Sequence, residues 1–481
     1  MLEWFWWTLH LLAMLGTGAA IAAAVRSRRP TSFTELAALM LTLGPGGLAS
    51  LLLGISLCGL PPGRIVISII GIASLTILIW LWRRNRLPLI AAPSPLSRTD
   101  LVSVPIVLVL AAALAYVLVI SLGYPLMEWD SIVIWAFKSR VLYYSALTPR
   151  PWYFTDVRYN YSHLDYPLLM PMMLTAAFAM MHQFNEYLAR LLFAVLFSGQ
   201  LLLIYTGARL FLPRMQALMI AVLTACCGMF IDQTVMATPE IILTAFIAGT
   251  TVYAIRWIDQ RQTPDAIFAA LFAVFAGLTK NEGLPLALIT AGVMALFTLS
   301  APPQRRRWKD LAVFCGIVGV GLGIWIVWRA GLPHTDENYP GQLRWSILSN
   351  NVGRVPVIVA SGLKKMLAVS FWGGLWLLLP VMAGLGYRAW RNPRALALWC
   401  LLLAQLGVYV LVYTITPWDL AELIRVSMDR LLMHAVPVAG LIVAAHWGAM
   451  IQASHDQGQP HHEPQVSAAP SNAAPAPAGT S

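Results

Sequence analysis

Apolar stretches long enough to cross a bilayer recur from one end of this 481-residue chain to the other. A helix needs about 20 mostly apolar residues to cross about 30 Å of hydrocarbon. Such stretches lie at 4–25, 34–58, 64–82, 101–121, 187–210, 215–232, 240–257, 266–280, 284–300, 310–329, 366–387, 395–414 and 431–451. They predict an all-α polytopic membrane bundle of about 13 helices. Composition agrees: 11% of residues are charged, where a soluble domain carries about 25%.

Basic residues orient the bundle, because cytoplasmic loops carry an excess of lysine and arginine. Arg26, Arg28 and Arg29 follow the first stretch; Arg83, Arg84 and Arg86 follow the third. Later clusters are Arg209 with Arg214, Arg256 with Arg261, Arg305 to Arg307 with Lys309, and Arg388, Arg391 and Arg394. If the stretches alternate, all fall on one side, which is then the cytoplasm, with the amino terminus outside and the carboxyl terminus inside. Glu3 and the length of the first stretch predict that it is not a cleavable signal. The opposite loops hold most of the acids. The net charge of +11 thus reflects topology, and nucleic-acid binding is not expected. The five cysteines lie within or at the ends of spans without a CxxC, so neither a disulfide framework nor a zinc site is expected.

Four regions follow. Residues 1–100 read as an appended bundle of three spans and a linker with Pro88, Pro93 and Pro95. Residues 101–451 read as the core, with a first large external loop at 122–186. Residues 452–481, rich in Ala, Pro, Ser and Gln, cannot bury a core and are expected to be a disordered cytoplasmic tail.

The external loop concentrates polar chemistry. It begins Glu128-Trp129-Asp130 and contains Lys138 and His163-Leu164-Asp165-Tyr166-Pro167. Residues 130–144 place Ile134, Phe137, Val141 and Leu142 at helical spacing, predicting an amphipathic helix at the bilayer interface. Residues 166–181 are apolar but short, predicting a helix lying in or dipping into the interface. Asp130, beside Trp129 at the end of a span, is a candidate general base on a hydroxyl; the plainer reading is a helix N-cap. Lys280 and Glu282, in Leu278-Thr279-Lys280-Asn281-Glu282-Gly283, are costly near hydrocarbon and by default point to function. Lys280 suits a phosphate as a point charge, or simply pairs with Glu282. Glu240 follows Thr238-Pro239 and either orients an acceptor, ligates a metal or caps a helix. Arg425 and Arg430 open the last span and suit charge-assisted bonds to phosphate, or pairing with Asp429. The loop 334–339 reads as a lid or as ordinary solvated chain. His163 and Asp165, two residues apart, bind no metal unaided. No P-loop, HExxH, GxSxG or long soluble nucleotide-sugar domain is present.

Taken in order, the acid after an early span, the His163–Pro167 element, the Leu278–Gly283 turn and the Arg425–Arg430 segment resemble the GT-C glycosyltransferases. Among these, the chain looks most like the protein O-mannosyltransferases and aminoarabinose transferases, over about 101–450. The resemblance implies an inverting transfer of a sugar from a polyprenyl phosphate to an acceptor hydroxyl on a lipid, glycan or protein. By it Asp130 is the base, and Glu128 and Glu240 (with Asp232 a rival) are acids on the acceptor or metal side. Lys280, Arg425 and Lys138 attend the donor phosphate, while Trp129, His163, Asp165, Tyr166, Glu282 and Arg430 line the pocket. A divalent metal is left open, since its use varies across the family. The implied location is a bacterial inner membrane with the site facing outward. Two departures stand: Glu-x-Asp replaces the Asp-Glu of mannosyltransferases, and three extra spans precede the core. The alternative is a transporter or flippase of lipid-linked saccharides, which calls for charges meeting in midmembrane. A third is a structural partner in an envelope-assembly complex, which predicts no convergent pocket.

Overall fold

The structure, a computed structural model, describes residues 1–26, 30–91, 102–333 and 339–458. Arg28, Arg29, Pro93, Pro95, the loop 334–338 and the tail from 459 lie outside the described residues. Helices of eight or more residues are α1 (Leu2–Arg26), α2 (Phe33–Leu57), α3 (Arg64–Arg83), α4 (Val104–Gly123), α5 (Phe137–Tyr144) and α6 (Leu169–Met181). They continue with α7 (Leu191–Ala208), α8 (Arg214–Ala225), α9 (Gly228–Val235), α10 (Pro239–Gln260), α11 (Thr263–Thr279) and α12 (Gly283–Leu299). The last are α13 (Trp308–Arg329), α14 (Val355–Met366), α15 (Leu375–Leu385), α16 (Pro393–Ile415) and α17 (Leu420–Gly458). A two-residue parallel strand pair, Pro30–Thr31 with Leu89–Ile90, is the sheet among the described residues.

Among the described residues nine helices are long and apolar enough to cross a membrane, or ten if α8 and α9 form one bent span. The other three predicted spans are the shorter apolar helices α11, α12 and α15, of 17, 17 and 11 residues. Every predicted span therefore coincides with helix, and the protein is an all-α polytopic membrane bundle. Two spans are broken. A 60° bend separates α8 from α9, and Gly373 and Gly374, at φ +57° and +82°, separate the turn Val369–Trp372 from α15.

At the centre stands α10, buried along nearly its whole length and packed on α11, α7, α17 and α16. By contrast α4 buries only Val117 and Ser121, so it lies at the periphery. α2 packs against α1, α7 and α6. The interfacial helix expected at 166–181 is α6, and all 13 of its residues are buried. At 1.5 Å per residue it is about 20 Å long, too short to span, and it is sunk among other helices instead of lying on lipid.

Polar contacts collect at the two ends of the bundle. At one end Arg26 and Arg256 both pair with Glu35, Arg256 at 2.6 Å, and approach Asp265 at 3.7 and 3.6 Å. Tyr253 donates to the same Glu35 oxygen at 3.0 Å. Nearby, Asp310 accepts from Trp257 at 3.0 Å, Thr263 at 2.7 Å and Arg307 at 3.0 Å. These are the loops that carry the arginine clusters. The opposite end gathers Asp130, Asp165, Glu240 and Glu282 with their cationic partners.

Candidate active site

Asp130 begins a π-helical turn, Asp130–Ala136, that runs into α5. The amphipathic helix expected at 130–144 is thus present, with a wider first half of the kind that often occurs at functional sites. Two anchors set its position. Ser131 donates through Oγ to the carbonyls of Met236 and Ala237, both at 3.0 Å. Buried Arg190 donates to the carbonyls of Tyr124, Pro125 (2.8 Å) and Val235. Both tie the approach to Asp130 onto the segment just before Glu240.

Glu240 sits in the first turn of α10, where Pro239 suits the first helical position. Lys280 terminates α11 in an extended conformation, and the chain turns at once into α12. That corner needs Gly283, since a Cβ there would lie 2.2 Å from the carbonyl carbon and oxygen of Ala276. The corner delivers Lys280 to Glu240: its Nζ donates to Glu240 Oε1 at 3.1 Å and pairs with Glu282 Oε1 at 2.8 Å. Arg430, from α17, donates through Nη1 to Asp130 Oδ2 at 2.9 Å, and the same nitrogen lies 3.5 Å from Glu240 Oε1. Three carboxylates and two cations from four distant parts of the chain therefore form one connected cluster. Lys280 thus stands between two carboxylates, both within salt-bridge distance of its ammonium.

A second layer supports this cluster. Arg329, at the end of α13, donates to Asp165 Oδ2 at 2.7 Å and to Asn281 Oδ1 at 3.0 Å. The His163 element is thereby fastened to the turn that carries Lys280. His163 stacks on Tyr166 with ring centroids 4.4 Å apart, and Trp135 lies 5.8 Å from Tyr166. Lys138 is wholly buried: its Nζ donates to the His163 carbonyl at 2.5 Å and lies over the rings of Trp135 and Tyr166. Burial pulls its pKa down to about 7, against the pull of Asp165. This lysine braces the loop.

Other candidates stand apart. Arg425 pairs with Glu422 at 2.5 Å on an exposed face, and Asp429 pairs with Lys365. Asp232 is exposed on α9, and Trp129 is 68% exposed beside Asp130. Glu128 is half-buried two residues before Asp130. Among the described residues no three His, Cys, Asp or Glu side chains are grouped to hold a metal ion.

Several contributors were not singled out as site residues from sequence: Ser131, Arg190, Asn281 and Arg329. Arg190 and Arg329 carried a usable signal, being single charges at the edge of apolar runs.

Acids and cations from distant parts of a membrane-embedded helical bundle thus converge at one of its ends. Residues 165–328 match the family model of dolichyl-phosphate-mannose-protein mannosyltransferases. The match supports a membrane glycosyltransferase of mannosyltransferase type, in line with the GT-C resemblance. It takes in Asp165, Tyr166, Glu240, Lys280 and Glu282, while Asp130 and Arg430 flank it. No curated protein and no solved structure matches the chain.

Proposed function

We propose that the protein transfers a sugar, with inversion, from a polyprenyl-phosphate donor to an acceptor hydroxyl at the extracytoplasmic face of a bacterial inner membrane. The observation that carries this reading is the convergence of Asp130, Glu240, Lys280, Glu282 and Arg430 in one cluster at the end opposite the arginine-rich loops. The acceptor oxygen attacks C1 of the sugar as Asp130 takes its proton. The bond from C1 to the phosphate oxygen breaks, and polyprenyl phosphate departs with the electron pair. Lys280 and Arg430 balance the charge gathering on that phosphate, the kind of electrostatic stabilisation that commonly supplies much of an enzyme's acceleration. Arg430 rather than Arg425 takes this role, because Arg430 reaches the cluster. In the resting cluster Arg430 holds Asp130. A donor phosphate that draws the guanidinium toward itself frees the carboxylate to act as a base.

The test is transfer of radiolabelled sugar from polyprenyl-phosphate donors to membrane acceptors, with wild type and Asp130→Asn at matched expression. Transfer by the wild type and a fall of at least about 100-fold in the mutant is expected for loss of a general base. Equal rates would remove Asp130 from the reaction. No transfer by either, across the donors tried, would move the assignment to a transporter of lipid-linked saccharides.

A further inference from the structure

One buried, polar side chain at the cluster has no part in the chemistry described so far. His434 is fully buried on α17, four residues beyond Arg430 and so on the same face, one turn deeper. It lies within electrostatic reach of Glu240, Glu282, Lys280 and Arg430. From the other side α16 presents a ladder at helical spacing. Gln405 donates through Nε2 to the Tyr409 hydroxyl at 2.6 Å, and that hydroxyl stands 3.5 Å from His434 Nδ1. The tautomer consistent with this chain of bonds has the phenol, its oxygen already taking the amide proton, donating its own to Nδ1. The imidazole then carries its hydrogen on Nε2, which meets no partner within the protein. Glu240 is the complement: its Oε1 serves Lys280 and Arg430, while its buried Oε2 has no partner. Buried polar atoms are nearly always satisfied. Two left over in one cluster, a donor and an acceptor, mark a place for a group that both accepts and donates. A hydroxyl does both.

We propose that His434 Nε2 and Glu240 Oε2 form a subsite that recognises one hydroxyl of the transferred sugar, with Tyr409 and Gln405 fixing the imidazole. The subsite rests on the glycosyltransferase reading and deepens it. Arg430 stands 3.5 Å from Glu240, so the movement that brings its guanidinium to the donor phosphate also releases the carboxylate that the subsite uses. Recognition of the sugar is thereby tied to arrival of the phosphate.

The experiment measures kcat/KM of the full-length protein with polyprenyl-phosphate mannose and its monodeoxy analogues, for wild type, His434→Phe and His434→Gln. A site built around a hydroxyl rejects the analogue lacking it. One deoxy position is therefore expected to cost the wild type at least about tenfold, while His434→Phe makes that same position indifferent. His434→Gln, which keeps an amide N–H near Nε2, should recover part of the discrimination. A uniform deoxy profile on the wild type overturns the subsite whether or not the variants fold. An unchanged wild-type profile in His434→Phe likewise overturns it, leaving the transferase reading intact. Absence of both transfer and donor-induced thermal stabilisation in the wild type overturns the transferase reading, and the subsite with it.

Discussion

Arg430 reaches two carboxylates through one nitrogen, Asp130 at 2.9 Å and Glu240 at 3.5 Å, and so sits closer to Asp130. Sequence alone names Arg425 and Arg430 together, yet five residues at 100° each set them about 140° apart on a helix. One faces the cluster; the other faces away and pairs with Glu422. Asp130, Glu240, Lys280 and Glu282 were legible because ionisable residues beside apolar spans stand out. His434, Tyr409 and Gln405 were not. Each is a lone polar residue in an apolar stretch, and its partner is given by packing of α16 on α17, not by spacing along the chain. Lys138 was legible as a charge, but its burial was not. Its lowered pKa has a measurable consequence. Between about 7 and the ordinary lysine value of 10.5 the folded protein holds the neutral amine while the unfolded chain holds the cation. Stability from this group is full above about 10.5, and is lost as pH falls toward 7. The slope is at most about 1.4 kcal/mol per pH unit. Thermal midpoints of wild type and Lys138→Met, compared at pH 7 and pH 9, should show a rise in the wild type that the variant lacks.

The helices themselves were largely readable, since each apolar stretch became helix, but their interruptions came from elsewhere. The bend between α8 and α9 falls at Cys227, whose thiol donates to the Trp372 carbonyl at 3.2 Å. A Cβ on Gly228 would lie 2.9 Å from the Ser370 carbonyl. The notch is shaped by a segment more than a hundred residues downstream, which no local pattern encodes. The α11–α12 corner is the opposite case, because its glycine sits in the motif itself. Gly283→Ala would force a methyl into the Ala276 carbonyl, and α11 and α12 would have to part at the residue that positions Lys280. A loss of about 1–3 kcal/mol is expected from such overpacking, read as a lower thermal midpoint. Transfer activity should fall further than stability does. A variant with unchanged midpoint and rate would show that the corner relaxes freely.

Across the molecule, the first three helices are joined to the rest through buried charge. Glu35 of α2 receives Arg256 and Tyr253 from α10 beside Asp265 of α11. With Glu240 bound at its other end, α10 is held at both termini. Sixteen residues separate Glu240 from Arg256 on this helix, a rise of about 24 Å. An average bilayer has a hydrocarbon core of about 30 Å. The two polar ends of this buried helix thus stand closer together than the two headgroup planes, while the peripheral α4, of 20 residues, is about 30 Å long. Reconstituted into bilayers of progressively shorter acyl chains, the protein should transfer sugar faster. A rate that falls as the bilayer thins would contradict this. The lipid around the protein is then part of its catalytic geometry: membrane thickness sets how far a headgroup-bound sugar must sink to be reached.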